Sequence, residues 1–146
     1  MEKTEDWVLD SALESVDFAE EAVLRAAGTL EWGDPAAKEE DLHRIGMSVR
    51  ECMVNAVVHG NRYNAKKKVG LRVSTTADRL TIEIWDEGEG FEMSTLPDPL
   101  ADDNLLRHSG RGLLLMQAFM DEFVIRPRQP HGTEVKMVKY VGKNSS

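Results

Sequence analysis

The hydrophobic period of this chain changes once, and that change restricts the folds open to it. Before the basic bend Lys66-Lys67-Lys68 the apolar residues recur at helical spacing; after it they alternate. From Ser15 to Leu30 the recurring positions are Val16, Ala19, Val23, Ala26/Ala27 and Leu30, and Gly33-Asp34-Pro35 ends the helix. A second helix is expected from about Ala36 to Val58. Its core-facing stripe is Leu42, Ile45, Val49, Cys52, Met53 and Ala56, and His59-Gly60-Asn61 stops it. Beyond the bend, Val69, Leu71 and Val73 alternate with Gly70, Arg72 and Ser74. Leu80, Ile82 and Ile84 then alternate with Thr81, Glu83 and Trp85, so Thr75–Arg79 joins two strands as a hairpin. Trp7–Ser11 reads as a short opening strand and Leu113–Met120 as a short apolar helix. Phe123–Ile125 and Glu134–Val138 read as closing strands. Helices followed by strands, with one helix inserted, predict an α/β (α+β) two-layer sandwich: a mixed, mostly antiparallel sheet with helices on one face. With no internal repeat and no dividing linker, residues 1–146 are expected to form one domain.

Charge narrows the function classes. The 26 acids outnumber the 18 bases for a formal charge of −8, which argues against a direct nucleic-acid binder. The average conceals blocks. Residues 1–43 hold thirteen acids and three bases, residues 44–79 two acids and eight bases. Residues 80–104 hold eight acids and no base, and residues 105–146 three acids and seven bases. The two basic segments can meet around an anion, or each block can be a solvated face. The lone Cys52 makes no internal disulfide, and no run approaches the roughly 18 apolar residues of a membrane span. Without an apolar stretch at the N-terminus, a cytoplasmic protein is expected.

Three stretches carry possible chemistry. Glu51, Asn55 and His59 are four apart, which stacks them beside the apolar stripe of the second helix; taken alone, the spacing is more often that of a solvated face. Asn55 is set among Val54, Ala56, Val57 and Val58, where an amide wants partners, and its oxygen is a hard, neutral ligand suited to Mg²⁺. In Asp86-Glu-Gly-Glu-Gly90, Asp86 has the parity of Leu80, Ile82 and Ile84, so its carboxylate points between sheet and helices. A carboxylate there needs a donor, and an exocyclic amino group such as adenine's supplies one. Gly88 and Gly90 permit close backbone approach to a ligand, although a glycine pair alone marks only a turn. In Ser109-Gly-Arg-Gly-Leu113, glycines opening a helix suit phosphate, with Arg107 and Arg111 adding charge; ordinary loop chemistry is the alternative. The phosphate-binding G-x-x-x-x-G-K-[ST] loop, the dinucleotide G-x-G-x-x-G and zinc-ligand spacing are all missing. A Cys52/His59 nucleophile pair would need Cys52 off the core stripe.

Taken in order, these features resemble the GHKL (Bergerat) ATP-binding fold shared by gyrase, histidine kinases and MutL. Glu51-Cys-Met-Val-Asn55 resembles its N box, Asp86-Glu-Gly-Glu-Gly90 its G1 box, Gly110-Arg-Gly112 its G2 box and Gly132-Thr133 its final GT element. Within that fold the chain is most similar to the bacterial anti-sigma factor serine-protein kinases. The similarity is carried by Asn55-Ala-Val-Val-His-Gly-Asn61, Asp86-Glu-Gly-Glu-Gly-Phe91, Pro97-Asp-Pro-Leu100 and Asn104-Leu-Leu-Arg-His-Ser-Gly-Arg-Gly-Leu-Leu-Leu-Met116. The resemblance implies ATP and Mg²⁺ as cofactors. Asn55 would ligate the metal, and Asp86 would read the adenine amino group in a pocket shaped by Gly88 and Gly90. Residues 91–109 would form a lid. Arg107, Gly110, Arg111 and Gly112 would lie at the phosphates, and Thr133 near the base. Glu51 would be the catalytic base acting on a serine hydroxyl of a partner. It further implies a sigma factor and a STAS-domain antagonist as partners, and a homodimer, with no membrane and no direct nucleic-acid contact. The alternative is an ATP-gated binding switch of the same fold that transfers little phosphate and does not depend on Glu51.

Overall fold

The computed structural model describes residues 2–88 and 116–141. Within them the chain runs β1 (Lys3–Asp10), α1 (Leu13–Gly28), α2 (Pro35–Val54), a π-helical turn (Asn55–Gly60), β2 (Lys68–Thr75), β3 (Arg79–Trp85), β4 (Glu122–Pro127) and β5 (Thr133–Tyr140). Residues 116–119 are helical, matching the end of the expected Leu113–Met120 helix; residues 113–115 lie outside the described residues.

The five strands form one sheet in the order β1-β2-β3-β5-β4, and all four pairings are antiparallel. Registers align one inward row across all five strands: Trp7, Leu71, Ile84, Val135 and Ile125. A second row, Asp6, Arg72, Glu83 and Lys136, alternates in charge and lies on the opposite face, which carries no helix among the described residues. Helices α1 and α2 cover the inward face. Val16, Ala19 and Val23 of α1 join Ile45, Val49, Cys52 and Met53 of α2 and Leu71, Ile82, Ile84 and Met137 of the sheet in one core. This is the two-layer α+β sandwich expected from the change of period.

Local chemistry sets the boundaries. Asp34 caps α2 by accepting the Ala36 N–H, and Pro35 occupies the first turn, where its missing donor costs nothing. Trp32 closes the α1–α2 connection by donating from Nε1 to the Ala27 carbonyl at 2.8 Å. Two expectations are corrected. The opening strand is longer than Trp7–Ser11, because backbone pairing with β2 extends it through the charged Lys3–Asp6, and Ser11 falls outside it. The second helix does not stay α-helical to Val58: it widens into the π-turn at Asn55, which takes about one residue more per turn. None of the described helices is long and apolar enough to cross a membrane.

Candidate functional site

The π-turn and the loop after β3 meet at the edge of the core. The widening begins at Asn55 and takes His59 off the α-helical spacing: His59 is exposed, whereas Asn55 is half-buried. Asn55 Oδ1 is buried and has no hydrogen-bond partner among the described residues. A buried amide oxygen left so costs about 1–3 kcal/mol, which makes Asn55 Oδ1 a candidate ligand-binding atom. Glu51 lies one turn earlier on α2, half-buried, with its Oε2 atom shielded from solvent.

Asp86 follows β3 directly. Its side chain is 6% exposed and points into the layer between sheet and helices, as its parity with Ile82 and Ile84 requires. Three glycines close around it. A β-carbon on Gly60 would lie 2.7 Å from Asp86 Oδ2, one on Gly88 2.2 Å from the Gly60 carbonyl oxygen, and one on Gly132 2.1 Å from the Asp86 carbonyl oxygen. Gly132 also has φ of +113°, a conformation that L side chains rarely adopt. Asp86 Oδ1 accepts the Gly88 N–H at 2.9 Å, and the Asp86 N–H donates to the Thr133 carbonyl at 2.9 Å. Burial pushes the Asp86 carboxyl above its ordinary range. The N–H groups of Gly88 and Thr133 and the charges of Arg128 and Lys67 oppose that without cancelling it.

The structure therefore brings Gly88 and Thr133 against Asp86, and sets Asn55 and Glu51 on the helix that ends at Gly60. Gly90, Arg107, Gly110, Arg111, Gly112 and the rest of the expected lid at 91–109 lie outside the described residues. The Cys52/His59 pair has no support. Cys52 is fully buried, and burial together with the nearby carboxylates of Asp86 and Glu51 pushes its thiol well up, away from the reactive thiolate.

Sequence reasoning missed two residues here. Arg128, from the β4–β5 turn, places its guanidinium 4.0 Å from the centre of the Trp85 ring and donates from Nη1 to the Asp86 carbonyl at 3.4 Å. Asn61 stood only as the end of a helix and the last residue of the similar stretch Asn55–Asn61, with no role; it is 2% exposed and its Oδ1 accepts the Glu87 N–H at 2.9 Å. No local signal reveals either, because their partners lie 42 and 26 positions away.

Residues 16–139 match the family described as the histidine kinase-like ATPase domain. The chain belongs to this family. Its relatives include the anti-sigma F factor of Thermoanaerobacter sp. (strain X514), 31% identical over 92% of this chain and 91% of that protein. The anti-sigma F factor of Clostridium acetobutylicum is 35% identical over 86% of this chain and 85% of the relative. That of Bacillus cereus (strain AH187) is 31% identical over 73% and 75%.

Membership of an ATPase family makes ATP the ligand to fit to this site, and the residues suit it. The buried Asp86 carboxylate would accept an exocyclic amino N–H such as adenine's. Asn55 Oδ1 is a neutral oxygen of the kind Mg²⁺ accepts alongside phosphates and water. The described residues contain no cluster of three or more His, Cys, Asp or Glu side chains able to hold a metal. A metal bound with the nucleotide would be held by Asn55 Oδ1 and would supply positive charge beside the phosphates.

Proposed function

We propose that this protein is an ATP- and Mg²⁺-dependent serine-protein kinase that also sequesters a sigma factor, acting on a serine of a STAS-type antagonist. The observation that carries the reading is the buried Asn55 Oδ1, unpartnered among the described residues, one helical turn beyond a carboxylate. The names of the relatives, anti-sigma F factors matched over most of both chains, support the sigma-factor half.

In this reading each residue has a separate task. Asp86 holds the base by accepting the adenine amino group, and Thr133 closes the same end of the pocket. Asn55 holds the metal, which when bound neutralises charge on the phosphates during transfer. Glu51 receives the proton of the acceptor hydroxyl. As the serine Oγ bonds to the γ-phosphorus, the bond from phosphorus to the β,γ-bridging oxygen breaks, and ADP leaves. Glu51 suits this task because its carboxylate lies one helical turn before Asn55, on the same helix. Arg107, Gly110, Arg111 and Gly112 are assigned to the phosphates and Gly90 to the base pocket on sequence grounds. The protein is taken to act as a cytoplasmic homodimer.

The test is transfer of label from γ-labelled ATP to STAS-domain antagonists in the presence of Mg²⁺. Wild type is expected to label a serine, and Glu51→Gln to lose roughly 10²–10⁴-fold in rate while still binding ATP. Wild-type labelling by Glu51→Gln would remove the general base. ATP binding with no labelled antagonist would replace the kinase by an ATP-gated binding switch.

A further inference from the structure

Asn61 sits where the helix exit, the start of β2, the end of β1 and the loop after β3 converge. Its Nδ2 donates to Ser11 Oγ at 2.8 Å and to the Lys68 carbonyl at 2.9 Å, while Oδ1 accepts the Glu87 N–H at 2.9 Å. Its backbone is held as well: its N–H donates to the Ala56 carbonyl, and its carbonyl accepts the Asn64 N–H. The surrounding groups are tied in turn. Ser11 donates to the Lys67 carbonyl at 2.5 Å, and the Glu87 carboxylate accepts the Lys68 N–H at 2.6 Å.

An amide is suited to this position because it supplies two donors and an acceptor in one plane, whereas aspartate lacks the donors and a hydroxyl lacks the reach. The consequence lies at the neighbours of Asn61 and Glu87. Gly60, covalently before Asn61, is the surface on which the Asp86 carboxylate rests; Asp86 itself is covalently before Glu87. One buried side chain therefore fixes both the floor beneath that carboxylate and the strand exit that carries it.

We infer that Asn61 is a positioning residue for base selectivity: by holding the Glu87 N–H and Gly60 together, it aims the Asp86 carboxylate so that the site takes adenine in preference to guanine. The selectivity follows from the chemistry of the two bases. An acceptor-only carboxylate meets a donor on the six-position amino group of adenine and an acceptor on the carbonyl of guanine. Asn61 acts through its neighbours and touches no ligand. The inference rests on the reading of Asp86 as the group that receives the adenine amino group.

The test compares ATP and GTP affinities by calorimetry, with thermal unfolding, in the full chain and in Asn61→Ala, Ser11→Ala and Asp86→Ala. Asn61→Ser, whose hydroxyl is too short to reach the Glu87 N–H, takes the place of alanine should Asn61→Ala not fold. The Asn61 variant is expected to lower the ATP/GTP affinity ratio at least tenfold. Ser11→Ala, which leaves the Glu87 bond in place, is expected to lower Tm with the ratio kept within twofold. A folded Asn61 variant with the wild-type ratio overturns the inference, and so does Ser11→Ala if it collapses the ratio equally. Asp86→Ala separates the two levels: a wild-type ratio in that variant overturns the reading of Asp86, whereas loss there and not at Asn61 overturns only the positioning role.

Discussion

The carboxylate of Asp86 rests on the bare Cα of Gly60, so close that a β-carbon there would lie 2.7 Å from Oδ2. The end of the helix that carries Glu51 and Asn55 thereby touches the group assigned to the base. Gly60→Ala must move one or the other. The variant is expected to lose about 1–3 kcal/mol of stability, as overpacked interiors do, and at least tenfold in ATP affinity. Urea unfolding and calorimetry measure the two effects, and unchanged ATP affinity would separate Gly60 from the site.

Burial raises the Asp86 carboxyl above its unfolded value of about 3.9, so the fold favours its protonated form. Between the two values the native state binds more protons than the unfolded chain, and stability falls as pH rises through that interval. Asp86→Asn removes this penalty. Without nucleotide it is expected to unfold at a higher temperature than wild type at pH 7, with the gap closing below about pH 4. A gap that does not change with pH would place its cause elsewhere.

The indole of Trp85 lies across Gly70 on the neighbouring strand, where a β-carbon would stand 1.8 Å from its Cε2 atom. Arg128 stacks on that ring and reaches the Asp86 carbonyl. Gly70→Ala is expected to displace the indole, lowering the urea midpoint and loosening Arg128. A midpoint equal to wild type would show that the ring is not held there.

Cys52 is expected to resist aromatic disulfide reagents in the native protein and to react once per chain after denaturation, because burial keeps its thiol protonated. Native labelling at the rate of an exposed thiol would contradict its place in the core.

How much of this was legible in sequence depended on how local the determining forces were. The alternation at Val69–Val73 and Leu80–Ile84 announced the β2–β3 hairpin, and the parity of Asp86 with Ile82 and Ile84 gave its inward direction. The setting of Asn55 among valines and alanine pointed to an amide in need of a partner, and its Oδ1 is buried without one among the described residues. The first half of β1 was not legible, because Lys3–Asp6 carries no apolar alternation and is held by backbone bonds to β2. Nor was the π-turn, since no residue between Asn55 and Gly60 breaks an α-helix before its end. Asn61 and Arg128 act across long stretches of chain, and composition gives no sign of such contacts.

The central claim is that Asn55 and Asp86 hold the two ends of one Mg²⁺-dependent ATP site. Calorimetric titration of ATP into wild type, Asn55→Ala and Asp86→Ala, each with and without Mg²⁺, tests it most directly. The account predicts that both substitutions weaken ATP by roughly tenfold to a hundredfold, the scale of a lost buried bond to a charged group. It also predicts that omitting Mg²⁺ weakens wild type but changes Asn55→Ala little. Wild-type affinity and wild-type Mg²⁺ dependence in both variants would contradict it.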